Sequence, residues 1–88
     1  SRAYPNPSNP KTVISYSVSE AGPVSIRVFN AAGKVVRTLL DEKLTEGRSG
    51  SVVWDGLDDG GELCASGVYF YSIEAEGFRD TRKLVLLK

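Results

Sequence analysis

The chain has 88 residues, with Lys plus Arg equal to Asp plus Glu at 11 each and no net charge. That length allows one domain, which buries about 60–65% of the surface its unfolded chain exposes, and a 41% apolar content is too high for disorder. The charge balance excludes a broad nucleic-acid footprint, and a single cysteine, Cys64, excludes an intrachain disulfide.

No run approaches the roughly 18 apolar residues of a membrane span, and no stretch of these 88 residues reads as a signal peptide. The first residue is Ser1, not methionine. We therefore expect a processed or excised piece of a longer protein.

Residues 1–10, "SRAYPNPSNP", form a Pro- and Asn-rich lead-in. Proline removes ladder donors and favours extended backbone, so either a plain linker or an ordered lead-in packed through Tyr4 and Pro5 fits. The remainder, 11–88, reads as one β domain. "KTVISYSV" (11–18) alternates, with Ile14, Tyr16 and Val18 on one face. "SEAGP" turns, and "VSIRVFN" (24–30) alternates again with Val24, Ile26 and Val28 inward. "NAAGK" predicts a hairpin loop around Gly33. "KVVRTLL" (34–40) alternates imperfectly, as a bulged strand would. A polar loop is expected over 41–50, with Leu44 its only large apolar residue, before a short strand ending at Trp54. The Gly- and Asp-rich 57–67 should turn twice. "VYFYSIEA" (68–75) is a strand, "EGFRD" (76–80) a turn and "TRKLVLLK" (81–88) the last strand. The apolar run Leu84, Val85, Leu86, Leu87 does not say which face is inward.

Six to seven short strands with no helical periodicity predict an all-β, antiparallel, immunoglobulin-like β-sandwich without a disulfide. The predicted core is Ile14, Tyr16, Val24, Ile26, Val28, Val36, Leu39, Val52, Trp54, Val68, Tyr69, Tyr71 and Ile73.

The residue inventory argues against catalysis. Without histidine, the commonest general base and metal ligand is missing. Cys64 reads as a small buried apolar residue or as a reactive thiol. Asp55, Asp58, Asp59 and Glu62 are candidate calcium ligands, but their spacing departs from the EF-hand pattern, and Asp-Gly clusters also serve tight turns. Trp54, Tyr69, Phe70 and Tyr71 read as a core cluster or as a sugar-stacking platform, with Phe29 and Phe70 as the better exposed aromatics. Arg79, Arg82, Lys83 and Lys88 make the end locally basic, with Asp80 as the one acid. Such charges either discourage edge pairing or address an acidic partner. No cofactor is expected.

Four blocks in order, Tyr4-Pro5-Asn6-Pro7, Gly33 before Val36, Gly67-Val68-Tyr69, and Lys83 to Lys88, resemble the type A C-terminal sorting domain of the type IX secretion system of Bacteroidetes and related phyla. The "WDGLDDGG" and "GVY" stretches are also similar to the immunoglobulin-like domain of the flagellar hook-capping protein. The sorting-domain resemblance implies a non-catalytic module at the end of a secreted cargo. The outer-membrane translocon would recognise it after passage through the periplasm, and a surface peptidase would remove it, leaving the cargo extracellular or on the outer-membrane surface. By position, Gly67, Val68 and Tyr69 match the penultimate motif. Arg82, Lys83, Leu84, Val85, Leu86, Leu87 and Lys88 match the terminal motif. Tyr4, Pro5, Asn6 and Pro7 match the leading motif. Cys64 departs from the usual aliphatic residue. The implied partners are the translocon, the peptidase and the covalently attached upstream cargo, with no nucleic acid and no membrane insertion. Two other readings remain. One is a structural module of hook-cap or filament type, self-associating through edge strands. The other is an accessory carbohydrate-binding domain of a secreted hydrolase.

Overall fold

A computed structural model describes residues 11–87. Among them six strands follow in chain order: β1 (Thr12–Val18), β2 (Gly22–Asn30), β3 (Val35–Leu44), β4 (Arg48–Trp54), β5 (Gly67–Ala75) and β6 (Phe78–Leu86). β1 and β4 pair as a two-stranded antiparallel sheet. The other sheet has the order β3-β2-β5-β6, also antiparallel throughout. The two face each other across one apolar layer, which makes the molecule a β-sandwich. The proposed lead-in, including Tyr4, Pro5, Asn6 and Pro7, lies outside the described residues, as does Lys88.

The layer forms because alternate residues of the best-patterned strands share one face. Ile14, Tyr16, Ile26 and Ile73 form one buried cluster. Val28, Trp54, Tyr69 and Leu86 form a second. Leu39 and Tyr71 touch both and join them. Trp54 meets Tyr69 edge-on, with ring centroids 5.4 Å apart and planes at 65°, a favoured aromatic geometry. Val36, Leu39, Val52 and Tyr71 of the predicted core are half-buried against these clusters.

Val68 is a correction: it is 41% exposed. It precedes the buried Tyr69, and neighbours on a strand point to opposite faces, so the two cannot both face the core.

The loop predicted over 41–50 is a second correction. β3 runs on to Leu44, and β4 already begins at Arg48. The polar residues Asp41, Glu42 and Lys43 pair with Ser25, Val24 and Pro23 of β2. They are exposed on an edge strand, where polarity costs nothing, and only Leu44 is buried. The last strand also starts early, at Phe78, so the turn is Glu76-Gly77 and not 76–80. Gly77 takes a φ of +70° there, which a two-residue connection can demand and glycine supplies.

The imperfect alternation of β3 corresponds to two register shifts, between Ile26 and Arg27 and between Val28 and Phe29 of the facing strand. The extra residues are Leu39 and Val36, and both turn toward the core clusters. At the other end of the β2–β3 hairpin, the Asn30 side-chain carbonyl accepts from the amides of Ala32 and Lys34, each at 3.0 Å.

Candidate functional site

Two segments singled out in the sequence, Gly67-Val68-Tyr69 and residues 82–88, lie well apart along the chain. The β5–β6 hairpin brings them together. Gly67 pairs with Leu86, Val68 with Val85, Tyr69 with Leu84, Phe70 with Lys83 and Tyr71 with Arg82. The apolar run then divides by face. Leu86 is buried and Leu84 half-buried among Trp54, Tyr69 and Val28, while Val85 is 56% and Leu87 70% exposed. Arg82 and Lys83 are both exposed.

Tyr69 is fixed at three points. Its ring packs on Trp54, its hydroxyl donates to the Ala65 carbonyl at 2.7 Å, and its backbone lies between β2 and β6. Burial, reinforced by Cys64, pushes its phenol above the usual tyrosine value. Because the folded value is raised, the protonated phenol contributes stability that is complete below the unfolded value of about 10 and is lost as pH climbs through the folded one. We expect the melting midpoint to fall more steeply above about pH 10 in the native chain than in Tyr69→Phe. Identical alkaline profiles for the two proteins, followed by circular dichroism, would contradict this.

The outer face of the four-stranded sheet carries an apolar row across its strands. Phe29 pairs with Val35 on one side and with Phe70 on the other, and Phe70 pairs with Lys83. Phe29 and Phe70 are half-buried partners on neighbouring strands, and Val68 and Val85 extend the row. Trp54 and Tyr69 belong to the core and Tyr71 is half-buried, so those aromatics present no open platform.

The acidic loop has a structural use. The Asp55 carboxylate accepts from the Leu57 amide at 3.0 Å and from Arg37 at 3.1 Å. One oxygen of Asp58 accepts from the amides of Gly60 and Glu62, both at 2.9 Å. Asp59 accepts from the Thr38 amide at 3.0 Å, and its own amide donates to the Val36 carbonyl at 2.8 Å. Among the described residues, no three metal-ligating side chains converge. Cys64 is half-buried against the second cluster, and its amide donates to the Gly56 carbonyl at 2.8 Å.

Those bonds fold the loop along the rim of β3. Arg37 is the hub: it also donates to the Leu57 carbonyl at 2.9 Å, which accepts from the Trp54 indole as well. The signal for it in the sequence is a charged residue interrupting an apolar run at Val36-Arg37-Thr38. The opposite rim differs. Among the described residues β6 pairs with β5 alone, so its outer edge presents backbone donors and acceptors to a partner. Arg82 donates to Asp80 at 3.0 Å, and that bond, with the attraction of the carboxylate, raises its pKa. Arg79 pairs with Glu74 across the hairpin.

A family model described as the FlgD Ig-like domain matches residues 8–77. This chain belongs to the FlgD Ig-like domain family. The two antiparallel sheets are thus an Ig-like sandwich, and the match stops at Gly77, immediately before β6. No curated protein and no solved structure matches the chain.

Proposed function

We propose that this FlgD Ig-like domain is a non-catalytic sorting module, whose β5–β6 hairpin is read by the type IX outer-membrane translocon so that an attached upstream cargo reaches the cell surface. One observation supports the reading above others. The two segments that resemble the sorting motifs are paired rung by rung, and their edge strand divides its labour. Leu84 and Leu86 hold the strand to the core, which leaves Lys83, Val85 and Leu87 available to a partner. Recognition of this kind combines strand addition with side-chain selection at alternate positions.

The test is a reporter fused to residues 1–88 in a host that has this secretion system. Replacing Lys83 and Val85 together by glutamate should lower surface export by at least ~10-fold while leaving the folding stability within about 0.5 kcal/mol, since both are surface positions. Unchanged export would overturn the proposal.

The family match favours a second reading, a structural Ig-like module of an extracellular assembly. It predicts stable association with neighbouring subunits in the parent structure and no effect of the same double variant on export.

A further inference from the structure

The four-stranded sheet has two rims with opposite fates. Asp59 occupies the rim of β3 with two backbone-directed bonds. The rim of β6 carries Asp80 and Arg82 on its inward row, beside Ile73 and Tyr71 of β5. Within one chain Arg82 donates to Asp80 at 3.0 Å, and an arbitrary incoming strand would bury that pair beside apolar or like-charged groups, which disfavours it. A strand that sets a base opposite Asp80 and an acid opposite Arg82 avoids that penalty.

The chain itself carries such a strand. Antiparallel pairing of β6 with the β6 of a second copy, about a two-fold axis at Thr81, places Asp80 opposite Arg82 twice. It also places Phe78 opposite Leu84 twice, and Phe78 is 52% exposed in the single chain. Centring the axis on Asp80 or on Arg82 would set like charges against each other, which is destabilising for direct cross-strand neighbours. The outer row of the Thr81 register brings Arg79 opposite Lys83. Glu74, already paired with Arg79, supplies the acid at that corner.

We propose that two copies of this chain associate through β6 in the Thr81 register, joining their four-stranded sheets into one. The contact is isologous, so both β6 edges are consumed. A two-fold pairing leaves neither β6 edge open, so through this contact assembly closes at the dimer, and Asp59 binds the β3 rim only at Val36 and Thr38. This inference does not rest on the sorting reading, since it concerns the isolated chain in solution, and a partner strand added at the β6 edge would compete with the second copy.

Sedimentation equilibrium of the 88-residue chain from about 10 μM to 1 mM tests it. The expected result is a reversible monomer–dimer equilibrium. D80R gives one copy two bases on the inward row, and R82D gives the other two acids. Each variant alone should stay monomeric where the native chain dimerises. An equimolar mixture of the two should restore the dimer, because only between unlike copies do opposite charges meet. A native chain that stays monomeric throughout, a mixture that stays monomeric, or species larger than the dimer would each overturn the proposal. Far-UV circular dichroism checks that the variants are folded. If either is not, Asp80→Asn with Arg82→Gln takes their place. That pair should weaken association at least ~10-fold, and an unchanged dimer would refute the register.

Discussion

Trp54→Ala is expected to lower the unfolding free energy by about 3–5 kcal/mol. A domain of this length has a total of only about 4–13 kcal/mol, so the variant should lose from about a quarter to all of its stability. The size of the effect follows from three losses at one position. Trp54 is completely buried, so truncation leaves a large cavity. Its edge-on contact with Tyr69 disappears, and with it the support for a buried residue near the start of the β5–β6 hairpin. Its indole N–H no longer reaches the Leu57 carbonyl at 2.9 Å, which loosens the loop that Arg37 also holds. Trp54→Phe retains much of the volume but not the donor, and should cost less, about 1–3 kcal/mol. Chemical denaturation followed by circular dichroism measures both, since the chain has a single tryptophan and fluorescence is lost with it. A loss below about 1.5 kcal/mol for Trp54→Ala would mean that the second core cluster repacks freely, against the usual rigidity of interiors.

How much of this was legible in the sequence depended on whether one strand face is buried. β1, β2 and β5 each face the core with one side, so their period-two pattern is written in Ile14 and Tyr16, in Val24, Ile26 and Val28, and in Tyr69 and Ile73. β3 and β6 lie on rims, where burial demands less of the sequence. The polar Asp41, Glu42 and Lys43 therefore look like a loop although they are paired. The bulges of β3 put Leu39 and Leu40 beside the same cluster, a result no strict alternation predicts. Of the apolar run at residues 84–87, composition could say that it packs but not which half. Register decides, because Leu86 faces Gly67 and Leu84 faces Tyr69, both on the inner row. The acidic loop shows the opposite limit. Asp55 and Asp59 are committed to Arg37 and to the rim of β3, and those partners are remote in sequence.

Leu86→Ala should cost about 2–5 kcal/mol, and Leu87→Ala less than about 0.5 kcal/mol. The two side chains are adjacent and chemically identical, so the difference isolates burial. Leu86 is 2% exposed and packs with Val28, Trp54 and Tyr69. Leu87 is 70% exposed, one residue past the end of β6. Comparable losses from the two variants would show that the end of the chain is held in another register than the one described. The pair also separates two ways of losing function. A chain truncated at the end loses Leu84 and Leu86 along with Lys83, Val85 and Leu87, so failed export after truncation cannot distinguish an unfolded domain from an unread one. Leu86→Ala tests folding with the outer row intact. Lys83→Glu with Val85→Glu tests the outer row with the core intact. If the hairpin is what a translocon reads, Leu86→Ala should lose export only to the extent that it unfolds, and should regain it at lower temperature. The outer-row variant should fail at every temperature, because its sandwich is still formed.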